Sequence, residues 1–351
     1  MKAIFLVGGK GTRLRPLTAK IPKPMVPLMN KPLLVRNLER VVQYGVDEVI
    51  LCTGYKSSMI ESYFMKNKID GLQIRFAFED SPLGTGGAIK NAAQDLTEEF
   101  FVFNADILNR IDLRQMARFH KRMKADVTIA VTSVEDPSSY GVIEQKNGYA
   151  LRFKEKPRLS EITSHFINAG VYLFKPEVLP FIEDGRPVSL EREVFPRLLA
   201  EGKKIAVYEN NSYWLDIGNP RAYLQAHKDI LDGKYLLPKE NYVKNSLYQE
   251  GNSTVPLSSI REPVYLGQNV HVSLKAIVGP YACIGDDCII DAGCVVQYSL
   301  LWNKVHIKKD EKISGAIITP DCRLFDLQDV FVRDFDVQEP DKSVSLLTQI
   351  L

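Results

Sequence analysis

From Leu266 onward one apolar position returns every six residues: Leu266, Val272, Val278, Ile284, Ile290, Val296 and then Trp302. Two places before each of the later six stands Val270, Ala276, Ala282, Cys288, Cys294 or Leu300. A period of six fits neither a helix, at about 3.6, nor a half-buried strand, at about 2. It is the period of a β-helix, in which short parallel strands stack and each repeat sends one residue into a shared interior. The pattern therefore predicts a repeat domain over 261–351, with Trp302 as its last interior anchor. Cys288 and Cys294 take the small inward position, where a thiol packs as a compact hydrophobe; a metal-binding pair is the alternative. Residues 233–260 lose periodicity and gather Gly, Pro, Asn and Ser, which reads as a connector.

The first 232 residues follow a different grammar. KAIFLV (2–7) is a short continuous apolar run, the mark of a buried strand. A helical pattern over 33–44 follows, then strands at 49–53 and 74–78, a helix over 86–95, and the strand FFVFNAD (100–106). Strand candidates at 126–132, 140–145, 150–156 and 166–174 precede helices over 189–199 and 221–231. Strands alternating with helices predict an α/β, Rossmann-like mixed and mostly parallel sheet with helices on both faces. Ligands of such sheets sit beyond the carboxyl ends of the strands, where the loop after residue 7 and Asp106 both fall.

The net charge is only +2, from 45 Lys+Arg and 43 Asp+Glu, which speaks against a nucleic-acid-binding surface. Its distribution is uneven. Residues 1–38 carry eight basic side chains and no acidic one; the remainder sums to −6. A focused anion site explains this better than a solvated basic arm, because the segment is apolar and punctuated by glycine. In G8-G9-K10-G11-T12-R13, glycines let backbone N–H groups approach a phosphate and Lys10 and Arg13 add charge. Neither the P-loop spacing nor the dinucleotide G-x-G-x-x-G is present. Taken alone, the loop is also compatible with a tight turn. Five cysteines without a CxxC, no 18-residue apolar run and no leader-like start predict a reduced, cytoplasmic protein without a membrane partner. The five histidines show no ligand spacing, and His227 reads as a packing or surface residue.

GGKGTRLRPLT followed by KIPKPMVPLMNKPLL resembles the opening signature of the sugar-1-phosphate nucleotidyltransferases. The resemblance continues in chain order through LGTGGAIKNA (83–92), Asp106, DPSSYGVI (136–143), FKEKP (153–157), INAGVYLF (167–174) and WLDIGNPRAYLQAH (214–227). The hexapeptide tail is similar to the left-handed parallel β-helix carried by many members. Three hexapeptides make one coil there, which implies about two coils here. The resemblance implies attack of a sugar 1-phosphate oxygen on the α-phosphorus of a nucleoside triphosphate. Such a site must align two polyanions and neutralise charge, which calls for cations, backbone donors and Mg²⁺ on carboxylates.

By the same resemblance, Arg13 and the backbone of Gly8, Gly9, Gly11 and Thr12 grip the triphosphate, and Lys23 contacts phosphate near the reacting centre. Asp106 and Asp216 hold Mg²⁺. Lys156 binds the sugar phosphate, with Glu155, Asn168 and Gly141 facing the sugar, and Leu83, Gly84, Thr85 and Gly86 lie near the base. Val7 and Ala105 stand where smaller residues are usual. PKPMVPLMNKP and PLGTGGA look most like the mannose-1-phosphate guanylyltransferase branch, implying GTP and mannose 1-phosphate. Glucose 1-phosphate with UTP or dTTP, a silent nucleotide-sugar-binding homologue, and acyl transfer by the β-helix are the alternatives. The free strand ends and Trp302 imply a homo-oligomer.

Overall fold

The computed structural model describes residues 1–9, 11–237 and 246–331; Lys10, residues 238–245 of the expected connector and 332–351 of the tail lie outside them. In chain order the elements are β1 (Lys2–Leu6), the hairpin strands β2 (Pro27–Leu28) and β3 (Lys31–Pro32), α1 (Leu33–Val42), β4 (Glu48–Thr53), α2 (Ser57–Lys66) and β5 (Gln73–Phe78). Then come α3 (Gly84–Ala92), β6 (Phe100–Asn104), β7 (Ile107–Asn109), α4 (Leu113–Met123), β8 (Val127–Ser133), β9 (Gly141–Lys146), β10 (Tyr149–Glu155) and β11 (Phe166–Phe174). After them follow α5 (Phe195–Ala200), β12 (Ile205–Glu209), β13 (Trp214–Asp216) and α6 (Pro220–Leu231). Every strand and helix expected up to residue 231 forms, with ends shifted by a few residues. The helix expected over 189–199 begins as a π-helical turn, Leu190–Val194.

The chain packs as two compact units that interleave in sequence. The first holds residues 1–9, 22–24 and 37–216; the second holds 11–21, 25–36, 217–237 and 246–331. Thus α6 and most of the basic segment 11–36 pack with the repeat domain, which a linear boundary at residue 232 does not express.

Unit one is built on a nine-stranded sheet in the order β5-β4-β1-β6-β11-β8-β12-β10-β9. β1 pairs in parallel with β4 and β6, and β4 with β5. The strand-rich middle is mixed instead. β11 runs antiparallel to β6 and β8, and β10 antiparallel to β9 and β12. Alternate residues supply the two faces: Ile4, Val102 and Ile129 join Ile89 of α3 and Phe195 of α5 in one buried cluster. Phe5 and Phe103 point the other way, beside Asn37 and Val41 of α1 and Leu113 of α4. Burial on both faces is what their near-continuous apolar runs require.

In unit two the hexapeptide pattern folds as the β-helix it predicts. Strands at 264–266, 282–284, 299–301 and 317–318 stack in parallel on one face, and two further three-stranded faces complete each coil. Three full coils form rather than two. Part of the expected connector adds to the stack: Leu247–Gln249 pairs with Val264–Leu266, and Thr254 and Ile260 bridge to His271 and Val278. Val264 to Val296 keep the period, but Ala282 pairs with Ser299 and Ile284 with Leu301, so one coil is a residue short. Leu301 is therefore the interior anchor, and Trp302 points away to donate its Nε1–H to Tyr223 Oη at 3.1 Å. Trp302 is half-buried rather than the interior anchor expected. Each corner is turned by a left-handed residue: Asn269, Asp287 and Lys304; Lys275, Gly293 and Asp310; Tyr281, Tyr298 and Gly315. Gly267 and Gly285 are required because a Cβ would stand 2.5 Å from Asp286 Oδ1 and 2.4 Å from Asn303 Oδ1 of the coil above. Cys288 and Cys294 are fully buried, and all five cysteines are free thiols. Beyond the repeats, Arg323–Leu324 pairs antiparallel to Ile317–Ile318. Among the described residues no helix is long and apolar enough to cross a membrane.

Two histidines are interior packing residues. His227 in α6 is 1% exposed; Nδ1 faces Tyr223 O at 2.9 Å and Nε2 accepts from Met29 N at 3.3 Å. His120 in α4 is 0% exposed, with Nδ1 2.7 Å from Thr128 Oγ1. Burial pushes both down to about 4. The fold thus holds them neutral, whereas an unfolded His protonates near pH 6.5. Their contribution is intact above about pH 6.5 and is lost as pH falls toward 4, at a cost of roughly 3 kcal/mol each by linkage. Denaturant melts from pH 8 to 4 should show that loss, and His227→Gln should flatten the part below pH 6.5. An unchanged slope would refute the assignment for His227.

Candidate active site

The carboxyl ends of β1, β6 and β5 converge on a cleft of about 380 Å³ in unit one. Val7, Gly8 and Gly9 follow β1, Asn104, Ala105 and Asp106 close β6, and Glu79 follows β5; Pro82, Gly84 and Thr85 at the start of α3 complete the wall. At the base, Lys23 is 7% exposed and directs Nζ to Asp106 Oδ2 at 2.5 Å and toward Asp216 Oδ1 at 3.7 Å. The two carboxylates meet because β13 pairs antiparallel with β7, setting Asp216 opposite Ile107, the neighbour of Asp106. Burying an ammonium is costly unless it is paired, and here one carboxylate bonds it while a second stands near.

Gly9 has nothing within 4 Å of where a Cβ would stand, and Gly8 meets only ordinary contacts, so the protein's own packing does not demand either glycine. Ala105 lies outside the left-handed region, so its Cβ costs no backbone strain, and Asn37 Nδ2 donates to its carbonyl at 3.0 Å. Val7 is 1% exposed, beneath the loop. Gly11, Thr12 and Arg13 belong to unit two. Gly11 has φ 59 and starts the 3₁₀ turn Thr12–Leu14; Thr18 Oγ1 donates to its carbonyl at 2.8 Å, and Arg13 is exposed.

A second cluster gathers the expected sugar-side residues. Gly141 is paired with Glu155 across β9 and β10, and a Cβ on it would stand 2.9 Å from Glu155 Oε2 and 2.6 Å from the Phe153 ring. Burial, then the nearby Glu191 carboxylate, raises the Glu155 carboxyl above its ordinary range. Asn168 Nδ2 donates to Tyr172 Oη at 2.7 Å and its Oδ1 accepts from Gly170 N at 3.0 Å. Lys156, at φ 48, is mostly exposed with Nζ 3.8 Å from Glu155 Oε1. Glu191 joins this cluster to the cleft, since its Oε2 accepts from Thr85 Oγ1 at 3.1 Å.

Two carboxylates escaped the sequence reading. Glu79 lines the cleft, accepts from Leu83 N through Oε2 at 3.0 Å, and has Oε1 3.8 Å from a Cβ placed on Gly8. The rule that found Asp106, a carboxylate just beyond a strand's carboxyl end, applies equally to Glu79. Glu191 sits on a π-helical turn that carries no sequence signal of its own. Leu83 to Gly86 are held by paired backbone bonds, Gly86 N to Val188 O and Val188 N to Leu83 O, both 2.8 Å.

Residues 2–233 match the family model described as nucleotidyl transferase. The chain belongs to that family. Residues 260–331 match a second model, described as the GMPPB C-terminal domain. The mannose-1-phosphate guanylyltransferase of Mycobacterium tuberculosis is 38% identical, over 84% of this chain and 82% of that protein. Mannose-1-phosphate guanylyltransferase 1 of Arabidopsis thaliana is 37% identical, over 91% and 86%. Among solved structures, HddC from Yersinia pseudotuberculosis complexed with GMP-PN aligns with a TM-score of 0.57 at 30% identity, covering 65% of this chain and 99% of that one.

The tightest joint of the site is Gly84, at φ 70, where a Cβ would stand 2.5 Å from Val188 O. Gly84→Ala should cost about 2–3 kcal/mol in urea unfolding, through strain and lost backbone pairing. A loss below about 0.5 kcal/mol would show that the loop relaxes freely.

Proposed function

We propose that this protein transfers GMP from GTP to mannose 1-phosphate, giving GDP-mannose and pyrophosphate. The observation that carries the reaction class is Lys23 beside Asp106 and Asp216 at the strand ends, in a cleft also lined by Gly8 and Gly9, which the fold itself does not demand. An ionised oxygen of the sugar 1-phosphate bonds to the α-phosphorus of GTP as the bond to the β-phosphate oxygen breaks. No proton has to leave the nucleophile, so the side chains serve alignment and charge neutralisation. Backbone N–H groups at Gly8 and Gly9, with Gly11, Thr12 and Arg13, take the triphosphate. Lys23 takes phosphate at the reacting centre. Gly141, Glu155 and Asn168 accept the sugar, Lys156 its phosphate, and Leu83, Gly84, Thr85 and Gly86 border the base.

The donor set fits Mg²⁺. Asp216 on β13 and Asp106 just before its partner strand β7 already stand about an ammonium, and two carboxylates completed by substrate phosphates suit this hard cation. Asp106 and Asp216 would hold it. When bound, it supplies neutralisation of charge on the phosphate oxygens.

Glu79 supports guanine. Guanine presents N1–H and an exocyclic amine side by side, two donors that one carboxylate can accept; uracil and thymine present a single N–H between carbonyls. The Man-1-P guanylyltransferase names of the relatives agree. The proposal includes a cytoplasmic homo-oligomer with small-molecule substrates and no nucleic-acid or membrane partner, in keeping with the near-neutral charge of +2.

A pyrophosphate-release matrix of four nucleoside triphosphates against hexose 1-phosphates, with Mg²⁺, tests the assignment. GTP with mannose 1-phosphate should be the best pair; faster turnover of UTP or dTTP with glucose 1-phosphate would overturn it. Asp106→Asn and Asp216→Asn should each lower kcat by about 100-fold or more. Glu79→Gln should reduce kcat/KM for GTP by about ten-fold and erase the preference over ITP, which lacks the exocyclic amine. Undiminished preference would remove Glu79 from base recognition.

A further inference from the structure

The π-helical turn Leu190–Val194 lies within unit one, between the cleft and the sugar-side cluster. Such turns are rare and gather at functional sites. This one packs against α3 on one side and β10 on the other. Ser189 starts it: its carbonyl accepts from Glu193 N and Val194 N, both at 3.1 Å, and its Oγ accepts from Arg192 N at 3.2 Å. Toward α3, Val194 Cγ2 lies 3.1 Å from where a Cβ on Gly86 would stand. Toward the sugar side, the ring of Phe195, just after the turn, is centred 5.3 Å from that of Phe153 and 5.7 Å from that of Tyr172. Phe153 backs Gly141, and Tyr172 Oη accepts from Asn168. One short segment therefore touches both walls.

Glu191 is half-buried on this turn, and its hydrogen-bond partners are two hydroxyls: Thr85 Oγ1 at 3.1 Å and Ser189 Oγ at 3.0 Å both donate to its Oε2. Thr85 Oγ1 in turn accepts from Leu190 N at 2.8 Å. A hydroxyl has a single proton to give, so these two bonds fix the orientation of the Thr85 side chain. The Glu191 charge also acts against the Glu155 carboxylate. Two carboxylates near each other repel, and an uncharged residue at 191 would avoid that cost. Stability alone does not call for a glutamate there.

We propose that Glu191 is a positioning residue shared by the two substrate pockets: it fixes the Thr85 hydroxyl on the base side, and through Ser189 it sets the turn that seats Phe195 behind the sugar side. Glu191 itself touches neither substrate. The inference rests on the reading of residues 83–86 as the border of the base and of Gly141, Glu155 and Asn168 as the sugar site.

Steady-state kinetics with GTP and mannose 1-phosphate test it. Glu191→Ala should raise KM for each substrate by about ten-fold. Glu191→Gln keeps an acceptor oxygen for both hydroxyls and should hold each KM within about three-fold of wild type. Thr85→Val removes the hydroxyl at nearly constant shape; it should raise KM for GTP by about five-fold and change that for mannose 1-phosphate by less than about two-fold. In the Thr85→Val background, Glu191→Ala should add nothing to KM for GTP yet still raise KM for mannose 1-phosphate. If Glu191→Ala does not fold, Glu191→Asp, which draws the carboxylate back by one methylene, should give the same pattern. Equal losses in Glu191→Gln, additive effects on KM for GTP in the double variant, or a lower melting temperature with both KM values unchanged would each overturn the proposal. If a different nucleotide and hexose phosphate turned over faster, the functional reading would fall, and the same cycle on that pair would still decide the role of Glu191.

Discussion

The contact on which the site depends is the buried ammonium of Lys23 beside two aspartates. A lysine 7% exposed is tolerable only where charge and hydrogen bonding replace water, and Asp106 at 2.5 Å and Asp216 at 3.7 Å do so. Removing one partner would leave a charge stranded, so the three groups hold each other in place. The same arrangement keeps two carboxylates close together, which their mutual repulsion would otherwise oppose. The feature that stabilises the floor of the cleft is therefore also the one suited to a polyanion and its counter-ion.

Sheet pairing is what brings those groups together. β7 and β13 form a two-stranded ribbon separate from the nine-stranded sheet, and its register sets Asp216 opposite the residue after Asp106. The cleft walls come from the parallel half, where β1, β4, β5 and β6 end side by side. The antiparallel strands β9, β10 and β11 supply the second cluster, and Glu191 ties it to Thr85 through one hydrogen bond. Burial, and then the neighbouring Glu191 carboxylate, raise the pKa of Glu155 there.

Much of this was legible in the chain. The continuous apolar runs announced buried strands, and Asp106 was visible as a carboxylate ending one of them. The glycine loop with its acid-free basic surroundings stood out in the sequence, and its Gly8 and Gly9 line the cleft. Glu79 obeyed the rule that singled out Asp106 but lacked a motif to draw attention to it. Trp302 was misplaced because a six-residue count continued past a coil that is one residue short; Ser299 holds the small position and Leu301 the anchor. Local periodicity reports spacing only while every corner has the same length.

The sequence by itself determined the two architectures, because amphipathic period and turn chemistry are local properties that each segment carries with it. It determined also the excess of positive charge in the N-terminal segment, which follows from composition alone. Only the tertiary structure decided which carboxylates meet Lys23, that Glu79 faces the same cleft, and that residues 11–21 and 25–36 pack with the β-helix rather than with the sheet. Those outcomes depend on pairings between segments distant along the chain. Their free energy comes from register and burial that no single window of sequence contains.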